Sequence, residues 1–85
     1  MAYTVKTRSE IYKENATVNP SDFGGWLCVN SGTGSVQVLK TTLAPGEGLD
    51  FTSLNPDVLW DTPIPIVILE AGGEVTLHRL IYKAK

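Results

Sequence analysis

Chemistry-bearing residues are scarce in this chain. Its 85 residues include one cysteine, one histidine and one methionine. A lone cysteine excludes an internal disulfide and an all-cysteine metal site. A lone histidine, His78, excludes a histidine pair as a metal platform, and zinc needs three or four convergent nitrogen, sulfur or oxygen ligands. No metal and no other cofactor is therefore expected. No apolar run approaches the roughly 20 residues that cross a bilayer as a helix, so no membrane partner is expected. Met1-Ala2-Tyr3-Thr4-Val5-Lys6 lacks the charged start and long apolar stretch of a secretory leader. The expectation is a soluble protein made in the cytoplasm.

Charge is also sparse, at 19% of residues, below the ~25% of an ordinary domain. That fits a protein with part of its surface against something else. The charge is unevenly placed. Every acid except Glu10 lies in residues 14–74, where Lys40 is the only base. Lys6, Arg8 and Lys13 mark one end, and Arg79, Lys83 and Lys85 the other. Nucleic-acid surfaces need clustered Lys and Arg, so an acidic middle argues against such a partner. The basic ends are either docking points for an acidic partner or simply solvated.

What remains is a β pattern. Trp26-Leu27-Cys28-Val29-Asn30 and Ser35-Val36-Gln37-Val38-Leu39-Lys40-Thr41-Thr42 flank the glycine-rich Ser31-Gly32-Thr33-Gly34, which predicts a hairpin. Ala44-Pro45-Gly46-Glu47 suits a type II turn. Leu49–Thr52 and Val58–Trp60 read as short strands, with a turn over Ser53–Asp57 between them. Ile64–Glu70 and Glu74–Lys83 flank Ala71-Gly72-Gly73 and predict a second hairpin. Pro65 predicts an edge strand or a bulge, because proline lacks an N–H. In the last strand Val75 and Leu77 share one parity and Leu80 and Tyr82 the other. Either a bulge at His78-Arg79 restores one apolar face or the strand is apolar on both. The fold class is all-β: a small antiparallel sandwich or barrel of five to seven short strands over residues 23–85. Residues 1–22 form a polar, extended N-terminal arm. Within it Tyr3–Thr7 alternates as a strand does, and Thr7-Arg8-Ser9-Glu10 has capping-box spacing, which predicts a turn or two of helix over Ser9–Ala16.

Few motifs carry chemistry. Gly32-Thr33-Gly34-Ser35 lacks the lysine of a P-loop and a following helix, so it reads as a turn. Cys28 sits in an apolar run and reads as a buried thiol. Every serine is accounted for by a turn or cap, so no Ser-His-Asp triad is supported. No enzyme is expected. Asp57 and Asp61 beside Trp60 allow a small ligand- or carbohydrate-binding module as the alternative, provided Trp60 is exposed; otherwise both tryptophans belong to the core.

The strongest functional signal is Ile64–Leu69. Ile64, Ile66 and Ile68 point one way along a strand, and Val67 and Leu69 the other. A single core covers one face, so the second face is covered within the chain or by a partner. Tyr3, Val5, Ile11 and Tyr12 of the arm join Ile64, Ile66, Val67, Ile68 and Leu69 as candidate interface residues. The polar arm, then Gly24-Gly25-Trp26-Leu27-Cys28-Val29-Asn30-Ser31-Gly32-Thr33-Gly34, then Leu43-Ala44-Pro45-Gly46-Glu47-Gly48-Leu49-Asp50-Phe51 and an apolar close resemble small tailed-phage virion proteins. These are capsid decoration (cement) proteins or head-fibre anchoring domains. Pro56-Asp57-Val58-Leu59-Trp60 is similar to a segment of the lambdoid decoration proteins. The resemblance implies a non-enzymatic virion protein, often trimeric, whose arm binds the major capsid or another virion protein. It also implies that deleting residues 1–22 abolishes that binding and spares the fold. No residue-level site follows from it.

Overall fold

The computed structural model describes residues 3–19, 24–52 and 59–84. The chain is all-β, with β1 (Tyr3–Tyr12), β2 (Ala16–Val18), β3 (Trp26–Asn30), β4 (Val36–Val38), β5 (Thr41–Leu43), β6 (Gly48–Phe51), β7 (Ile64–Ile68) and β8 (Val75–Ala84). They form two four-stranded antiparallel sheets. Sheet A has the order β1-β8-β3-β6 and sheet B the order β2-β7-β4-β5. Four nested pairs, β1 with β8, β2 with β7, β3 with β6 and β4 with β5, generate this order. Folded over into two layers, those pairs make a jelly roll.

The core follows from alternation. Trp26, Cys28, Val75 and Leu77 of sheet A meet Val18, Val36, Val38, Leu43, Ile64 and Ile66 of sheet B, all buried. Each such Val, Ile or Leu stabilises the fold by roughly 1.5–3 kcal/mol. Cys28 is among them, and burial, opposed by a backbone hydrogen bond from Leu49, raises its thiol above the usual range.

Neither glycine-rich segment is a hairpin turn. β3 and β4 lie in different sheets, and so do β7 and β8. Residues 31–35 and 69–74 are arches that carry the chain across the roughly 10 Å between sheets. The two arches lie on one another. Thr33 N–H donates to Gly72 O at 2.9 Å, Ser31 N–H to Glu74 O at 2.8 Å and Leu69 N–H to Ser35 O at 3.1 Å. The approach is so close that a Cβ on Gly32 would lie 2.1 Å from Gly72 O, and one on Gly34 2.4 Å from Ala71 O. Glu70 accepts the Ser35 N–H at 2.9 Å. Hydrogen bonds from the Ser35 side chain and backbone hold its carboxyl below the usual range.

Asn30 ties the arch down from inside. Its side chain is buried at 1% exposure. Nδ2 donates to Gly34 O at 2.8 Å and Leu43 O at 3.0 Å, and Oδ1 accepts from Gly32 N–H at 3.0 Å. Its backbone binds Glu47 O and Gly46 N–H in the Ala44–Glu47 turn. That turn is type II as expected, with Gly46 at φ +89° and Glu47 N–H on Ala44 O.

Several other expectations are corrected. The helix over Ser9–Ala16 does not form. Ser9–Tyr12 continue β1, each opposite a β8 residue from His78 to Val75, because ladder pairing outweighs a marginal helix. The single strand over 35–42 is a β4–β5 hairpin closed by Leu39 and Lys40 at φ 50° and 64°. Two positive-φ centres define a type I′ turn, here without the usual Asn-Gly. β7 is an interior strand between β2 and β4, not an edge. Pro65 is tolerated there because its C=O, and hence its missing N–H, face Leu39, where β4 has already turned away. β8 carries no bulge. Its register against β1 and β3 is unbroken, so it is apolar on both faces. Leu59 and Trp60 are not in a strand. The turn over Ser53–Asp57 and Val58 lie outside the described residues.

Two outcomes follow. Asn30→Ala leaves the buried Gly34 carbonyl and the Gly32 N–H without the amide at about 1–3 kcal/mol each, while Leu43 O keeps its ladder partner Val36, so urea denaturation should show a loss on the order of 2 kcal/mol or more. Lys40 is exposed, and a left-handed non-glycine residue costs roughly 1–2 kcal/mol. Lys40→Gly should therefore raise the urea midpoint; an unchanged or lowered midpoint would show that the turn is unstrained.

Candidate interaction surface

Alternation gives sheet A a second face, turned away from the core. Cross-strand partners share a face, so Val5, Thr7, Ser9 and Ile11 of β1 lie with Tyr82, Leu80, His78 and Thr76 of β8. Leu27 and Val29 of β3 extend the face, followed by Asp50 and Gly48 of β6. Asp50 at the rim is the only charged residue in this set. Its carboxyl is held below the usual range by hydrogen bonds from the Thr52 side chain and backbone. Val5 and Ile11 are 52% and 63% exposed. Leu27, Val29, Leu80 and Tyr82 are half-buried by their neighbours. An outward face with apolar side chains and no Lys or Arg is a surface shaped for contact.

The charges of β1 lie on its other side. Arg8 is exposed, while Glu10 pairs with Arg79 at 2.6 Å. Tyr12 O–H donates to Glu10 Oε2 at 2.6 Å. Burial and that carboxylate raise the Tyr12 hydroxyl above its usual value. β3 meets β8 only up to Arg79, with Gly24 and Gly25 bonding Leu80. Beyond this point, among the described residues, β1 and β8 run on as a two-stranded ribbon, and the molecule measures 45 × 20 × 17 Å. A two-stranded ribbon is marginal alone in water.

The structure divides the residues singled out from sequence. Val5 and Ile11 belong to the outward face of sheet A. Ile64 and Ile66 do not reach the surface; at 0% and 1% exposure they are core, because β7 lies inside sheet B and turns this parity inward. Ile68 and Tyr12 pack at the core margin. Val67 is half-buried on the outside of sheet B, and Leu69 is 47% exposed where β7 enters its arch. Tyr3 starts β1 opposite Ala84, and its side chain lies outside the described part. Leu27, Val29, Leu80 and Tyr82 were missed. The parity change in the last strand was their signal, and reading it as a two-faced strand finds Leu80 and Tyr82.

Two possible chemical centres do not assemble. Ser9 Oγ lies 2.7 Å from His78 Nδ1, on an open sheet face, and among the described residues no carboxylate bonds the imidazole. Trp60 turns inward. Its ring stands edge-on to Trp26 at 5.3 Å and 5.1 Å from Phe51, and Nε1 donates to Thr62 O at 2.6 Å. Asp61 accepts from the Thr62 hydroxyl at 3.0 Å, and Asp57 lies outside the described residues. No group of three metal-ligating side chains is found among the described residues.

Comparison with protein-family models, with curated proteins and with solved structures finds no match.

Val5 and Ile11 contribute little to the core. Val5→Asp and Ile11→Asp should each leave stability within about 0.5 kcal/mol, as for ordinary surface changes. A larger loss by urea denaturation would show that this face is covered within the chain.

Proposed function

We propose that this chain is a non-enzymatic structural protein of a tailed-phage virion, of the decoration or fibre-anchoring type. Its partner is the major capsid protein or another virion protein. The observation that carries the reading is the outward face of sheet A, where Val5, Ile11, Leu27, Val29, Leu80 and Tyr82 lie without a basic residue among them. The small jelly roll is compatible with it. Viral capsid domains and lectins both use that architecture, and fold alone does not choose between them. The inward Trp60 removes the specific support for sugar binding.

Binding acts by mass action: a protein that contacts only the assembled lattice stabilises it over separated subunits. The arm's part differs from the sequence expectation. β1 supplies a whole strand of sheet A, so removing residues 1–22 would strip β8 of one of its two neighbours and disturb the fold. Point changes on the outward face test the reading instead.

The experiment is mass spectrometry of particles purified from the phage whose genome carries the chain, followed by rebinding of purified protein to stripped shells. Stoichiometric copies in mature particles are expected. The double variant Val5→Asp/Ile11→Asp should rebind at least tenfold more weakly. A protein that is abundant in infected cells yet absent from particles would overturn the proposal.

A further inference from the structure

The free edge of β1 carries a second inference, independent of any virion role. Leu80 exchanges hydrogen bonds with Gly24 and Gly25, so its N–H and C=O face β3. Successive residues of a strand direct these groups to opposite sides. The odd-numbered residues of β8 therefore face β1, where their partners are the even-numbered Lys6, Arg8, Glu10 and Tyr12. Val5, Thr7, Ser9 and Ile11 consequently aim N–H and C=O outward. Among the described residues no strand lies along that side, since β1 ends sheet A. A ten-residue strand with an open ladder is a template for another strand.

The charges select its occupant. Two copies of β1 paired antiparallel about a two-fold axis must match outward groups with outward groups. A two-fold centred on Thr7 sets Lys6 against the partner's Arg8. Centred on Arg8, it sets that guanidinium against its own copy. Centred on Glu10, it opposes two carboxylates. Centred on Ser9, it places Arg8 against the partner's Glu10 and Glu10 against the partner's Arg8, with Lys6 opposite the partner's Tyr12. Opposite charges directly across strands stabilise a pair, and like charges destabilise it. This register also aligns the outward groups of Thr7, Ser9 and Ile11 for about six backbone hydrogen bonds. The Arg8–Glu10 pairs fall at its non-hydrogen-bonded positions, where side chains approach most closely.

We propose that two copies of this chain associate through β1, antiparallel and centred on Ser9, joining both A sheets into one eight-stranded sheet. Their outward apolar faces then lie on the same side and form one surface.

Sedimentation equilibrium across a concentration series tests this. The wild-type chain should approach twice 9.2 kDa. Arg8→Glu places like charges opposite each other and should weaken association at least tenfold. Thr7→Pro removes an outward N–H, leaves the β8 ladder intact, and should do the same. Circular dichroism checks that both variants fold. Mixing Arg8→Glu with Glu10→Arg restores opposite charges at both positions, so a one-to-one heterodimer should form. A wild-type chain that stays monomeric, a trimer, or a dimer indifferent to Arg8→Glu and Thr7→Pro would each overturn the proposal. If Glu10→Arg fails to fold for want of its Arg79 pair, the other two variants decide. Particle binding by a strictly monomeric chain would leave the virion reading standing while this one fell.

Discussion

A buried amide holds this molecule in its topology. Asn30 reaches Gly32, Gly34 and Leu43 with its side chain and the Ala44–Glu47 turn with its backbone. These partners come from an arch, a strand and a turn, and the strands on either side belong to both sheets. An apolar residue of similar size would fill the space but leave the arch without a donor for Gly34 O and an acceptor for Gly32 N–H. An unmade buried hydrogen bond costs more than a made one contributes. The amide therefore specifies which connection crosses between sheets, whereas the surrounding Val, Ile and Trp side chains supply bulk stabilisation without choosing a path.

Once 31–35 is fixed as an arch, the rest is constrained. Its glycines admit the 69–74 arch against them, and that contact places β7 and β8 in different sheets. β7 then lies between β2 and β4, which turns Ile64 and Ile66 inward. β8 lies between β1 and β3, which turns Leu80 and Tyr82 outward. The candidate surface is thus a consequence of how two loops stack at one end of the sandwich, where Ser31 of the arch meets Thr76 of that face at 2.8 Å. Its composition is a property of β1, β3 and β8 together, and no single segment displays it.

Much of this was legible in the sequence. The all-β class, the burial of Cys28, the common direction of Ile64, Ile66 and Ile68, and the Pro45-Gly46 turn all follow from local rules. What failed were inferences about which strands neighbour which. A short glycine-rich connection looks the same whether it closes a hairpin or crosses a sandwich, and the distinguishing contact, from Asn30 to Leu43, is long-range. Leu39 and Lys40 were misread because nothing in their chemistry favours positive φ; the β4–β5 ladder imposes it. Of the candidate site, Val5 was singled out through the alternation of Tyr3–Thr7, and Ile11 as an apolar residue of the arm within a segment expected to be helical. Leu27 and Val29 were passed over because both parities of that strand are apolar, and only the second sheet identifies which one faces the core.

The nesting of the pairs has a kinetic meaning. β4 and β5 are joined by two residues, whereas β1 finds its partner β8 at the far end of the sequence. Loop-closure entropy opposes distant contacts until nearer ones have shortened the effective loop. The order of closure that follows is inside out, from the tight turn at Leu39 and Lys40 through β3–β6 and β2–β7 to β1–β8. During that interval the edge of β8 that β1 will cover is bare beside an apolar outward face, which makes this strand the one most exposed to misassociation in the folding chain.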